Sequence, residues 1–181
     1  MIQWAIALFA AFEAMILTLL PIYCVQQGFT PEVSLFMVST VVVGDALLQL
    51  PIGALADRVP RRTLFSGCAL MLMVSSLAIP LLIDTPMIWP VWVLFGASAG
   101  GLFTLSLILI GERYRDDALV RANAHVAQLW GIGCLLGPLA AGAGSQWVSG
   151  HSLPLLMAVG ALGLVIVSLR RGAFGVQPVM A

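Results

Sequence analysis

The chain has 181 residues, of which 61% are hydrophobic and 9% charged, with a mean hydropathy of +1.06. So little charge cannot coat a water-soluble globule, because soluble domains carry about a quarter charged residues. Eight basic and eight acidic residues give a net charge of zero, which excludes the basic footprint of a nucleic-acid binder and leaves the lipid bilayer as the solvent.

A membrane span needs about 20 mainly apolar residues, and the sequence predicts six: 2–25, 31–56, 63–83, 87–111, 119–146 and 152–170. The fold class is therefore an all-α membrane protein, with residues 1–181 forming a single six-helix transmembrane domain. The first run lacks a basic flank, is too long for a signal-peptide core and continues into Pro21 and Tyr23 without a small-residue cleavage site, so it is read as a span. It carries Glu13 midway along. The second carries Asp45, also midway. An acid at the bilayer centre costs at least about 2.5–3.5 kcal/mol and needs a partner or water, so both are candidate functional groups. Asp45, Gln49 and Gly53 recur four apart and form one ribbon along the helix.

The second span ends in Gly53-Ala54-Leu55-Ala56-Asp57-Arg58-Val59-Pro60-Arg61-Arg62. Glycine at 53 allows close approach of another helix, Asp57 can meet the positive N-terminal end of a neighbouring helix, and Arg58, Arg61 and Arg62 can pair with it or with anionic headgroups. The segment reads as a charged latch between helices. It resembles the signature loop of the major facilitator superfamily, G-x-L-a-D-r-x-G-r-r. Gly53, Leu55, Asp57, Arg58, Arg61 and Arg62 match, while Pro60 replaces the second glycine and stiffens the turn. The loop falls between spans two and three of a six-span block, as it does in that family.

The fourth span contains Gly96-Ala97-Ser98-Ala99-Gly100, a G-x-S-x-G that raises an intramembrane serine protease as an alternative. That pentapeptide works at a strand-to-helix elbow. Here it lies inside a helix, no histidine occurs in the sixth span, and the pattern reads as helix-packing glycines. The fifth span carries Gly133-Cys134-Leu135-Leu136-Gly137-Pro138-Leu139-Ala140-Ala141-Gly142. Gly133, Gly137 and Gly142 permit backbone-to-backbone packing, and Pro138 bends the segment. The stretch is similar to the G-x-x-x-G-P of the fifth helix of a facilitator half, and Arg121-Ala122-Asn123-Ala124 resembles the start of the eleventh helix. The resemblance therefore implies the C-terminal half, helices seven to twelve. Arg121, His125 and Gln128 share one face of this span, which makes His125 and Gln128 candidates for a cavity wall. His151, before the sixth span, reads as solvated. Thr18, Thr104 and Ser106 could offer hydroxyls, although such groups usually bond their own backbone.

All eight basic residues are arginines, and they divide between alternate connections: Arg58, Arg61 and Arg62; Arg113, Arg115 and Arg121; Arg170 and Arg171. The positive-inside rule then places both termini in the cytoplasm, with Tyr23, Trp89, Trp92 and Trp147 near the outer interface; the expected membrane is a bacterial inner (plasma) membrane. Cys24, Cys68 and Cys134 lie singly in apolar runs without metal spacing, so they read as packing residues, and no metal or cofactor is expected.

The resemblance implies that spans one, two, four and five line a cavity while three and six face outward, and that Glu13 lies within reach of substrate or a proton. The expected function is transport of a small solute by alternating access, as one half of a secondary transporter. Proton coupling is the expected energy source, because no G-x-x-x-x-G-K-[ST] loop occurs. Facilitators are built from two six-helix halves, so the expected partner is a missing N-terminal half or a second copy in a parallel homodimer. Met1 opens almost directly into the first span, which suggests a fragment or truncated form. The alternative is a six-helix membrane scaffold or regulatory partner that does not transport.

Overall fold

The computed structural model describes residues 2–145 and 151–169, and among them it holds six helices. These are α1 Ile2–Gln26, α2 Pro31–Ala56, α3 Arg61–Leu82, α4 Ile88–Arg113, α5 Asp116–Ser145 and α6 Ser152–Leu169. Each is long and apolar enough to cross a bilayer. Trp147, Gly150, Arg170 and Arg171 lie outside the described residues.

Local chemistry sets the ends. Gly28 adopts a left-handed φ of 95° just after α1, a conformation that costs a residue with a side chain about 1–2 kcal/mol. Thr30 then caps α2, its hydroxyl accepting from the Val33 N–H at 3.5 Å, with Pro31 and Glu32 in the first turn, the residue types that suit a helix start. Pro60 stands immediately before α3, and its carbonyl accepts from the N–H groups of Thr63 (2.8 Å) and Leu64 (3.2 Å). The helix therefore begins at Arg61, two residues before the apolar run. Prolines inside α1, α2, α3 and α5 (Pro21, Pro51, Pro80 and Pro138) do not end those helices, as membrane spans allow.

The helices pack chiefly as α2 on α4, α1 on α5, and α3 on α6 and α4. Exchanging α1 with α4 and α2 with α5 maps the first two pairings onto each other. Small residues make both close pairings. A Cβ at Gly96 of α4 would collide with the Val41 carbonyl of α2, and one at Gly137 of α5 would lie 2.6 Å from the Ala11 carbonyl of α1. Among the described residues of α5 only one stripe is buried, Gly133, Gly137 and Ala141 at four-residue spacing.

α4 is the most enclosed helix. Its Trp92 is 1% exposed and lies edge-on to Phe95 with ring centroids 6.3 Å apart, which corrects its expected place at the lipid interface. Depth along a span did not reveal which side of the helix faced inward. Trp89, on the outer part of α4, is 38% exposed. Two internal seams, one between Phe9, Leu72 and Leu164 and one between Leu20, Trp92 and Met157, leave no space for a water molecule.

Candidate functional site

Two carboxylates lie midway along α1 and α2. Glu13 of α1 and Asp45 of α2 lie close enough for their charges to interact. Asp45 rests on α4 where Gly100 has no side chain, since a Cβ there would overlap its Oδ1. Gln49, one turn along α2, donates to that Oδ1 at 3.1 Å. Glu13 has no such support: its Oε2 is buried without a hydrogen-bond partner. Cys134 of α5 is within electrostatic range of Glu13 and directs its thiol at the Ala10 carbonyl, 3.7 Å away. The four helices thus converge on the acids, and the α5 stripe of Gly133 and Gly137 against Ala7, Ala10 and Ala11 fixes the spacing.

One turn nearer the arginine-bearing end lies an aromatic cluster that sequence reasoning missed. Phe9 stacks on Phe103 with centroids 4.7 Å apart, and Trp130 meets them at 5.4 and 5.2 Å. Helix periodicity explains the layering. Phe9 precedes Glu13 by four residues, Phe103 follows Gly100 by three, and Trp130 precedes Cys134 by four. No single span announces this cluster, because its members come from three helices.

At the arginine-bearing end, Arg61 holds Glu112 of α4. Its Nε donates to both carboxylate oxygens, at 3.0 and 2.9 Å, and Nη2 also reaches the acid, while Nη1 donates to the Ala56 carbonyl. Such forked pairs combine charge with fixed geometry. Arg62 caps α6 through the carbonyls of Ser168 (3.3 Å) and Leu169 (2.6 Å), and Ser66 and Ser168 join their hydroxyls at 3.0 Å. Asp57 and Arg58 are exposed. Asp57 acts on Arg61 only at longer range. A Cβ at Gly53 or Gly142 would meet no atom within 4 Å, and Pro138 sits half-buried within α5. Glu112 was legible in principle as an acid at the end of the fourth span, on the same side as the basic loop.

The α5 residues Arg121, His125 and Gln128 all face away from the bundle. His125 Nδ1 lies 2.8 Å from the Arg121 carbonyl, so Nδ1–H donates and Nε2 is left to face outward. At the opposite end, His151 is not simply solvated. Its Nδ1 is 3.0 Å from the buried Tyr23 hydroxyl, joining the end of α1 to the start of α6. Ser98 of the G-x-S-x-G is 2% exposed and donates to the carbonyls of Leu94 (2.7 Å) and Phe95 (2.9 Å). Its hydroxyl is thereby engaged by its own helix. Thr18 and Ser106 likewise bond to Ala14 and Leu102 carbonyls.

Comparison with known proteins agrees with this architecture. The pattern of the Major Facilitator Superfamily matches residues 4–175. The chain is similar to the uncharacterized MFS-type transporter YcaD of Escherichia fergusonii, 27% identical over 161 residues covering 89% of this chain and 41% of the relative. An uncharacterized MFS-type transporter of Enterobacter is 26% identical with the same coverage. An MFS-type transporter of Aspergillus terreus is 29% identical over 99 residues, 55% of this chain and 18% of the relative. The chain thus spans about two fifths of the length of the two bacterial relatives or less than a fifth of the fungal one. With six apolar helices, a basic loop after the second and a matching pattern across nearly the whole sequence, the chain is an integral membrane protein that belongs to the major facilitator superfamily.

Proposed function

We propose that the chain is one six-helix half of a secondary transporter that moves a small solute by alternating access, and that the side formed by α1, α2, α4 and α5 is its wall of the pathway. The observation that carries this reading is a pair of acids midway along α1 and α2, Glu13 and Asp45, within electrostatic range of each other and with Glu13 Oε2 buried and unpartnered. Lipid is a poor neighbour for such a pair. The dry internal seams also support a route along the outer side of the bundle. A second six-helix half completes the pathway, either an N-terminal half that makes this chain helices seven to twelve, or a parallel second copy. The membrane is a bacterial inner membrane, with the arginine-bearing connections in the cytoplasm.

Glu13 is the coupling acid in this reading. The test is uptake into proteoliposomes by the assembled transporter, with a panel of solutes and Glu13→Gln beside the wild type. Glutamine keeps shape and hydrogen bonding but cannot release a proton. Solute exchange should persist while uptake driven by a pH gradient is lost. Unchanged gradient-driven uptake would remove the coupling role, and a folded wild type that moves no solute would favour the scaffold.

A further inference from the structure

The layer around Glu13 has a chemistry that selects among solutes. Glu13 Oε2 is buried without a hydrogen-bond partner, Asp45 Oδ1 lies against Gly100 within electrostatic range of Glu13, and every arginine lies at a span end or beyond it, leaving the acids without an arginine partner at mid-depth. Directly beneath them three aromatic rings form a platform whose members Phe103 and Trp130 are only partly buried. Gln49 is the fourth member of that lower layer, and its amide is held by Asp45.

We propose that this layer is a binding site for an organic cation with an apolar or aromatic body. Glu13 and Asp45 take the charge, and Phe9, Phe103 and Trp130 take the body. The inference rests on reading this side as a pathway wall, and it names the class of solute that the wall accepts. Aromatic faces attract cations, and a buried carboxylate oxygen without a donor is stabilised by a positive ligand. An anion would meet two like charges. Thr18, Ser98 and Ser106 direct their hydroxyls to their own backbone, so these groups offer a polyol little at this layer.

The probe is tetraphenylphosphonium, with tetraphenylborate as an ion of the same shape and opposite charge. Binding to the assembled transporter in nanodiscs is followed by tryptophan fluorescence, against empty nanodiscs. The cation should bind saturably and the anion should not. Glu13→Gln and Asp45→Asn should each weaken cation binding about tenfold or more, the low end for losing a close pair of opposite charges. Trp130→Leu should weaken it about three- to tenfold. Thermal unfolding reports whether each variant is folded, and the comparison of the two ions on the wild type needs no variant. Saturable binding of the anion, no saturable binding of the cation, or unchanged affinity in folded Glu13→Gln and Asp45→Asn would overturn the proposal. Uptake of neutral or anionic solutes without cation binding would overturn it and leave the transport reading standing. Cation binding without uptake of any solute would support the site and overturn transport.

Discussion

Replacing Gly137 by alanine tests the contact that sets the spacing of the proposed wall. The new methyl carbon would lie 2.6 Å from the Ala11 carbonyl oxygen, 2.8 Å from its Cα and 2.9 Å from its Cβ. Carbon contacts are optimal at about 3.5–4.0 Å, so α1 and α5 must separate locally by roughly 0.7–1 Å. The atoms in the way are mostly backbone, and no rotamer change relieves the overlap. Overpacking of this kind costs about 1–3 kcal/mol. Alanine returns up to about 1 kcal/mol of helix propensity, which leaves a net loss of about 0–2 kcal/mol and a difference of about 1–3 kcal/mol from a control that gains the same propensity without overlap. Gly131→Ala is the matched control, six residues earlier in the same helix, where a Cβ would meet nothing within 4 Å. That change should be neutral or stabilising by up to about 1 kcal/mol. The assay is unfolding of the detergent-solubilised protein followed by tryptophan fluorescence, with Trp130 near the contact as reporter. If the two variants prove equally stable, α1 and α5 do not meet at Gly137 and the placement of the acids beside α5 fails with it.

At the arginine-bearing end, a double-mutant cycle with Arg61→Ala and Glu112→Ala should give a coupling of about 0.5–1 kcal/mol, the upper range for a partly exposed pair, since the side chains are 26% and 48% exposed. Zero coupling would mean the pair does not form. Tyr23→Phe removes the hydroxyl facing His151 and should lower stability by about 0.5–1.5 kcal/mol, whereas an unchanged unfolding midpoint would show that the bond carries no weight. Cysteines at Gly28 and Thr85 should react with an impermeant thiol reagent from outside intact cells, and reaction only after the membrane is opened would invert the proposed orientation.

Hydropathy located the spans well because burial in lipid is a property of the whole run. It was less informative at polar ends. α3 begins at Arg61 and α5 at Asp116, where charged residues continue the helix beyond its apolar stretch. The basic loop could be recognised from its own residues, yet the acid that Arg61 binds is 51 positions away. A short motif cannot name such a partner. Trp92 shows the same gap from another side: composition placed it near the outer end of α4, but only packing against other helices decides that it points inward. The candidate acids were legible one at a time, as costly groups in apolar runs. Their approach to each other, and the aromatic layer beneath them, depend on which faces α1, α2, α4 and α5 turn together.

The same contacts bear on where movement would occur. Gly96 and Gly100 bring α4 tightly onto α2, Gly133 and Gly137 bring α5 onto α1, and Arg61 and Arg62 tie the start of α3 to the ends of α4 and α6. Opening a solute path inside the bundle would have to break backbone contacts along whole helix pairs, for which close-packed interiors offer no gradual route. Opening one along the α1, α2, α4 and α5 side breaks none of them. In the proposed transporter, a six-helix unit built this way would rock as a body against a second half, exposing the acids and the aromatic layer alternately to the two sides of the membrane. α5 is extensively exposed, including Arg121, His125 and Gln128; its polar stretch needs water or protein, not lipid, beside it, which is what the second half supplies in the proposed transporter.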